Sequence, residues 1–274
     1  MKTPLVALAF LVSSIAVAEP TQQQLEDRAK ALQEQLAGRH FTIFVEAPFV
    51  IVGEAPNSKK IATGFLREKR TLLEKDFFAK RPDKVLEVWL FRDAKTFRKG
   101  AKEFFKDPPD TPFGYYSPDD HALVMNVDGL GTLSHELVHP YMEANFPDVP
   151  SWFNEGLASL FEYPSERKGH IVGLVNWRLP NLKKEIRADT LPPLTTLLAT
   201  STDAFYGAEW DAYAQARYLV YYLQEHELLH AFFEKFQAGV EDDATGQASL
   251  EAVLGEDLAT FEPKWRKWVL ALRQ

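Results

Sequence analysis

Hydrophobic and polar positions along the first part of the chain predict a mixture of helix and strand. Segment 22–37 carries apolar residues at helical spacing and stops at Gly38. Segments 41–52 and 84–91 are rich in branched and aromatic residues, which favour strands, and the first is interrupted at Pro48. We therefore expect the chain to begin as helix, strand, helix, strand.

Side chains that can cap helices mark two further elements. Asn57 precedes a long amphipathic pattern that runs to about Lys80, and Asp93 precedes one that runs through Phe105. After a proline-rich loop, residues 113–127 alternate in the manner of a β-hairpin around the turn Ser117-Pro118-Asp119-Asp120. His121 is read as a residue of that turn and not as a ligand.

From Gly131 onward the pattern is mainly helical, although segment 171–177 fits a strand or an extended arm equally well. The predicted helices cover residues 194–200, 209–223, 227–237, 247–254 and 256–272, the last with a break near Pro263. We predict an α+β fold, with an N-terminal lobe over 19–130 that holds a small mixed sheet and helices. A mostly helical lobe follows over 131–274.

The first 18 residues have the pattern of a secretory signal peptide. Lys2 supplies a positive start, residues 5–12 form a short apolar core, and Ala16-Val17-Ala18 is a small-residue cleavage site. The apolar run is short for a membrane span, and an uncleaved anchor is the less favoured alternative. The sequence therefore predicts an exported protein, periplasmic or secreted, with no stable membrane span after cleavage.

Composition narrows the function further. The chain has no cysteine, which excludes disulfides, a lipid-modified cysteine and thiolate metal ligands. Its formal net charge of −8 makes it a poor binder of nucleic acid. Oligomeric state cannot be read from these features.

The candidate chemistry begins at His135-Glu136-Leu137-Val138-His139. Residues four apart on a helix share one face, about 5–6 Å apart at Cβ, so both imidazoles can reach one Zn²⁺ at about 2.0–2.1 Å. Glu136 flanks such an ion without ligating it, where it can take a proton from the water.

A third ligand is expected from the next segment, Trp152-Phe153-Asn154-Glu155-Gly156-Leu157-Ala158. Glu155 lies 16 positions after His139, which leaves enough chain for a turn and a second helix across the site. Two histidines with one glutamate form a common catalytic zinc set that keeps one position open. Gly156 lacks a Cβ and would permit close approach of the second helix.

Together these two segments resemble the gluzincin metallopeptidases, and the overall layout resembles the small bacterial peptidase-MA-like proteins. The resemblance implies a zincin-like fold, one zinc ion held by His135, His139 and Glu155, and Glu136 as general base. No Gly-Ala-Met-Glu-Asn segment precedes the histidines, so aminopeptidase specificity is not implied. Pro140 removes a helical N–H and predicts a kink beside His139.

Further roles follow from the same resemblance. The strand before the histidine helix is expected to be an exposed edge to which a peptide adds by main-chain hydrogen bonds, through Ala122, Val124 and Asn126. Tyr213 is the expected donor to the oxyanion, and Tyr206 is the alternative.

The string His226-Glu227-Leu228-Leu229-His230 matches the histidine pattern a second time, but nothing like the Glu155 segment follows it. The first site is therefore preferred. The sequence predicts an exported zinc metallopeptidase that acts on a peptide or protein. The alternative is a non-catalytic exported protein that holds a peptide or an envelope protein in the same cleft. Neither the substrate nor endo- versus exopeptidase action can be read from the chain.

Overall fold

A computed structural model describes residues 19–106 and 111–273. The predicted signal peptide over 1–18 lies outside the described residues, as do positions 107–110 of the proline-rich loop. The described chain mixes helices and strands, which confirms the α+β class. None of its helices combines the length and the apolar character that crossing a bilayer requires.

One mixed sheet of five strands organises the N-terminal half, in the order β1-β2-β3-β5-β4. The outer pairs β1–β2 and β4–β5 are antiparallel, whereas β3 runs parallel to both β2 and β5. The strands are β1 (Thr42–Glu46), β2 (Phe49–Gly53), β3 (Leu86–Phe91), β4 (Gly114–Ser117) and β5 (Ala122–Asn126).

Two sequence predictions about these strands need correction. Segment 41–52 is a tight hairpin of β1 and β2 and not one interrupted strand, because the chain turns at Ala47-Pro48. The segment expected to be the exposed edge, β5, lies inside the sheet with β3 on one side and β4 on the other. The described sheet has its edge near the histidine helix at β4.

Helices cover both faces of the sheet, and the alternation of the strand residues decides which face each side chain meets. Val50 and Val52 face a core with helices α1 (Gln22–Gln35) and α4 (Ala94–Phe104). Phe49 and Ile51 point the other way, into a core shared with the helices of the C-terminal half. This second core joins the sheet to the helices that carry the candidate site.

The long helix predicted from Asn57 to about Lys80 is present, but it is not a regular α-helix throughout and it ends at Asp76. It starts as α2 (Ser58–Lys60), passes through a π-helical segment (Ile61–Leu66) and ends as α3 (Arg67–Asp76). Asn57 makes no side-chain cap hydrogen bond there. By contrast, Asp93 caps α4 through the N–H groups of Lys95 and Thr96, as predicted.

The second half begins with α5 (Leu130–Asn145) and α6 (Ser151–Leu160), followed by a small hairpin of β6 (Pro164–Arg167) and β7 (His170–Gly173). Part of segment 171–177 is therefore strand. The remaining helices are α7 (Leu179–Arg187), α8 (Leu194–Leu198), α9 (Thr202–Tyr206), α10 (Ala212–Glu225), α11 (Leu229–Gly239), α12 (Gln247–Leu254) and α13 (Leu258–Ala271). The predicted break near Pro263 does not occur, because α13 continues through that residue.

Candidate metal centre

Helix α5 carries both histidines of the first motif. It begins after Gly129 and runs through Pro140 for five further residues, so the expected kink does not end it. The rings of His135 and His139 lie 5.0 Å apart between centroids. Donor atoms of His135, Glu136 and His139 lie within 4.8 Å of one another, which is close enough to hold a metal ion.

Helix α6 brings a second carboxylate to the same point. Glu155 Oε2 lies 3.1 Å from His135 Nε2, and Glu155 Oε1 lies 3.9 Å from His139 Nε2. Two donors that each sit about 2.0–2.1 Å from a tetrahedral ion are about 3.3–3.4 Å apart. The distance from Glu155 to His135 fits two ligands of one ion, and the distance to His139 is about 0.5 Å longer than that separation.

One buried oxygen gives an independent test of this fit. Glu155 has 6% of its side chain exposed, and its buried Oε2, although 3.1 Å from His135 Nε2, has no partner with hydrogen-bond geometry among the described residues. A buried carboxylate oxygen without a partner is costly unless something else neutralises it. A divalent cation that prefers nitrogen and oxygen ligands, held by this carboxylate and the two imidazoles, would neutralise that oxygen.

Each imidazole is supported on the side away from this point. His139 Nδ1 lies 3.0 Å from the Asn154 side-chain oxygen, which leaves Nε2 available to a ligand if Nδ1 carries the proton. His135 Nδ1 lies 3.5 Å from Glu162 Oε1, an ionic contact without hydrogen-bond geometry. The sequence prediction did not include either supporting residue.

Glu162 is in turn fixed by Arg178. Its two oxygens accept hydrogen bonds from Arg178 Nη2 at 2.6 Å and Arg178 Nε at 2.9 Å, and Asn176 donates another at 3.0 Å. Burial would raise the pKa of Glu162, but Arg178 and His135 outweigh it and lower that pKa to about 2. A charged, oriented carboxylate therefore faces His135 at neutral pH.

Glycine permits the backbones around Glu162 to approach each other. A Cβ added to Gly131, in the first turn of α5, would lie 2.3 Å from the backbone oxygen of Glu162. Gly156 does not have the predicted role. A Cβ added to it would meet Val220 and Ala216 on α10, so this glycine lets α6 approach α10 and not α5.

Electrostatics within the cluster separate the two central carboxylates. Burial would raise the pKa of Glu155, but His139, His135 and the Tyr206 hydroxyl lower it to about 2. Burial raises the pKa of Glu136 above its ordinary value, although both histidines oppose the shift. Glu155 is therefore charged at neutral pH, and Glu136 is the more easily protonated of the two carboxylates.

Glu136 is also held in place from the sheet. Its Oε2 accepts a hydrogen bond of 3.1 Å from the backbone N–H of Tyr116, in the edge strand β4, and lies 3.7 Å from His139 Nε2. The contact comes from β4, the edge strand, and not from β5, which lies inside the sheet. The sequence had predicted the exposed edge at β5 instead.

The residues assigned to substrate binding do not line the site. Ala122, Val124 and Asn126 are at most 1% exposed, and both backbone edges of their strand are paired with neighbours. The prediction is wrong because β5 pairs in parallel with β3, a contact between distant segments that local pattern does not reveal. A peptide cannot add to this strand without displacing β3 or β4.

Both candidate tyrosines reach the site. They line an open cavity of about 520 Å³ together with Glu136, the histidines and Glu155. The Tyr206 hydroxyl donates a 2.7 Å hydrogen bond to Glu155 Oε1, and its ring lies 6.3 Å from that of Tyr213. Tyr206 is the last residue of α9, where the sequence predicted a loop.

The second histidine motif is divided between two elements. His226 follows the end of α10, Glu227 has a positive φ of 58°, and His230 lies in α11. The His226 ring stacks on Tyr222 at 3.8 Å, whereas the His230 ring stacks on Phe77 at 4.6 Å. Both histidines are exposed at the surface and stack on different neighbours.

Comparison with known families points to the same region of the chain. A family described as "Protein of unknown function (DUF1570)" matches residues 130–242, which extend from the start of α5 to just beyond α11. This segment includes His135, His139, Glu155 and Glu162 but not the strands of the five-stranded sheet. The search of curated proteins found no match. The chain is thus similar, over its candidate metal centre, to that family.

Proposed function

We propose that this chain is an exported zinc metallopeptidase of the gluzincin type, with a zincin-like fold. The observation that carries the proposal is the convergence of His135, His139 and Glu155 from two helices on one point in an open cavity. A further carboxylate, Glu136, stands beside them. Structural metal sites are closed, whereas hydrolytic sites keep one position for water, and this cluster faces a cavity.

In this proposal His135, His139 and Glu155 hold the ion. Zinc, when bound, would lower the pKa of water to about 7 and polarise the scissile carbonyl. The protein contributes the orientation of the ligands through Asn154 and Glu162. Such supporting contacts fix the ring that faces the ion and raise its basicity.

Glu136 is the proposed general base. Its carboxylate is beside the ligands, is aimed by the Tyr116 N–H, and has a raised pKa because of burial. A base whose pKa lies nearer to neutrality can take a proton from water and pass it to the leaving amine. These are the properties that the reaction requires of one residue.

Tyr213 is the proposed donor to the oxyanion. Tyr206 already donates its hydroxyl proton to Glu155, which suits it to orient that ligand instead. Burial raises the pKa of the Tyr213 hydroxyl, so it stays protonated and able to donate at neutral pH. The Arg178 guanidinium lies 5.0 Å from the Tyr213 ring and helps to fix it.

The substrate backbone is proposed to add to β4. This strand has no further strand beside it among the described residues, and it already touches Glu136 through Tyr116. An extended peptide paired with β4 would pass over the cavity by main-chain hydrogen bonds. Export, proposed from the pattern of residues 1–18, would place this reaction outside the cytoplasm.

The test compares the purified wild-type protein with Glu136→Gln. We expect about one zinc ion per chain in both by elemental analysis, and hydrolysis of a fluorogenic peptide mixture by the wild type only. The variant should lose about 10²–10⁴-fold in rate, the usual contribution of a general base. Retained hydrolysis would remove Glu136 from this role. A folded wild-type protein that binds no zinc would favour the non-catalytic binding protein.

A further inference from the structure

Glu143 lies on the ligand-bearing face of α5 and lines the same cavity. It follows His139 by four residues and Glu136 by seven, so it shares their face of the helix. At 1.5 Å per residue it is about 6 Å along the axis from His139 and about 10 Å from Glu136. Its side chain is exposed, unlike those of the carboxylates at the metal centre.

Tyr116 connects Glu143 to the catalytic geometry. The backbone N–H of Tyr116 binds Glu136, and the hydroxyl of the same residue donates a 2.8 Å hydrogen bond to Glu143 Oε2. One residue of β4 thus fixes both carboxylates relative to the strand edge. Tyr116 engages Oε2, which leaves Glu143 Oε1 available to another partner.

Charge around the cavity is one-sided. Three of the residues that line it are glutamates. Among the described residues, no lysine or arginine lines it. Glu155 and Glu136 have roles in the proposed chemistry at the ion. Glu143 has no such role, and it forms no ion pair with a described lysine or arginine.

We propose that Glu143, held by Tyr116, is a specificity subsite for a cationic side chain of the peptide substrate. The inference rests on the proposed peptidase function and deepens it. An extended peptide rises about 3.3 Å per residue, so the 6–10 Å from the metal centre corresponds to a lysine or arginine two or three residues from the hydrolysed bond. The enzyme would act on basic stretches of a polypeptide.

The experiment uses fluorogenic peptides that differ only in lysine or glutamate two or three residues from the central bond. We expect wild-type kcat/KM to favour lysine by about 1.5- to fivefold, the range of a largely exposed ion pair. Glu143→Gln should bring the ratio close to one, and Glu143→Lys should invert it. Higher salt should reduce the wild-type ratio.

Glu234→Lys is the matched control, because Glu234 is an exposed residue of α11 outside the cavity wall and the change in net charge is identical. This variant should keep the wild-type ratio. An unchanged ratio in Glu143→Lys, or an equal inversion in Glu234→Lys, would overturn the subsite.

Binding measurements separate failure of the subsite from failure of the peptidase function. The same peptides, labelled for fluorescence anisotropy, are bound to Glu136→Gln protein with and without Glu143→Lys. A binding preference that follows the charge at position 143, without hydrolysis by the wild type, supports the subsite and overturns only the peptidase. Hydrolysis without any charge preference supports the peptidase and overturns the subsite. If the peptides are neither bound nor hydrolysed, both proposals are overturned.

Discussion

The chain contains the same five-residue pattern twice, and the two copies have different structures. His135 and His139 lie within one helix, with Glu155 approaching from a second helix. His226 and His230 are separated by a helix end, and each ring stacks on a different aromatic residue. Local spacing is therefore a weak guide to a metal site. The donor atoms come together only where one continuous helix carries both histidines and a second segment crosses it.

The largest expected difference between the copies is in metal binding and hydrolysis. His139→Ala should weaken zinc binding by more than about 100-fold, because even supporting residues change affinity 10–100-fold, and hydrolysis should fall to background. His230→Ala should keep both, since that ring packs on Phe77. Zinc content and peptide turnover, measured on the two variants in parallel, check this. Equal losses would mean that the second copy takes part in the site.

A smaller effect is expected from the supporting carboxylate that only the first copy has. Glu162→Gln should weaken zinc affinity about 10–100-fold, because His135 loses a charged partner while the size of the side chain is kept. Competition with a chelator measures the change.

Glu262→Gln is the control for this substitution. Glu262 pairs with Arg266 through two nitrogens at 2.5 and 2.8 Å, in helix α13, and takes no part in the cluster. Zinc affinity should not change in that variant. A similar loss in both variants would show that Glu162 acts through general stability.

The smallest expected effect concerns the second copy alone. His230→Ala removes the ring stacked on Phe77 and should cost about 0.5–1.5 kcal/mol of unfolding free energy. For a chain of this size that corresponds to a fall in Tm of roughly 1–6 °C. Thermal unfolding of metal-free protein measures it without a contribution from zinc. No change in Tm would show that the stacking contributes nothing.

Much of the centre was predictable because its determinants are local. The spacing of His135 and His139 required only a helix, and Glu155 required only a turn followed by a second helix. The helix cap at Asp93 was predictable for the same reason, since the cap and the groups it binds are three residues apart or fewer.

The errors arose where distant segments meet. The position of β5 inside the sheet depends on its pairing with β3, and the support of His135 depends on Glu162 and Arg178, which belong to different segments. No local pattern distinguishes Glu162 from an ordinary carboxylate at the end of a helix. The supporting role of Asn154 could have been inferred from the sequence, because Asn154 directly precedes the predicted ligand Glu155.

Gly131 contributes no donor atom, yet its hydrogen in place of a side chain lets the first turn of α5 rest on the backbone of Glu162. A methyl group at this position would push apart the helix that carries His135 and the carboxylate that steadies it. Affinity for an ion could therefore be adjusted by a single carbon atom placed outside the ligand set, with every coordinating side chain left as it is.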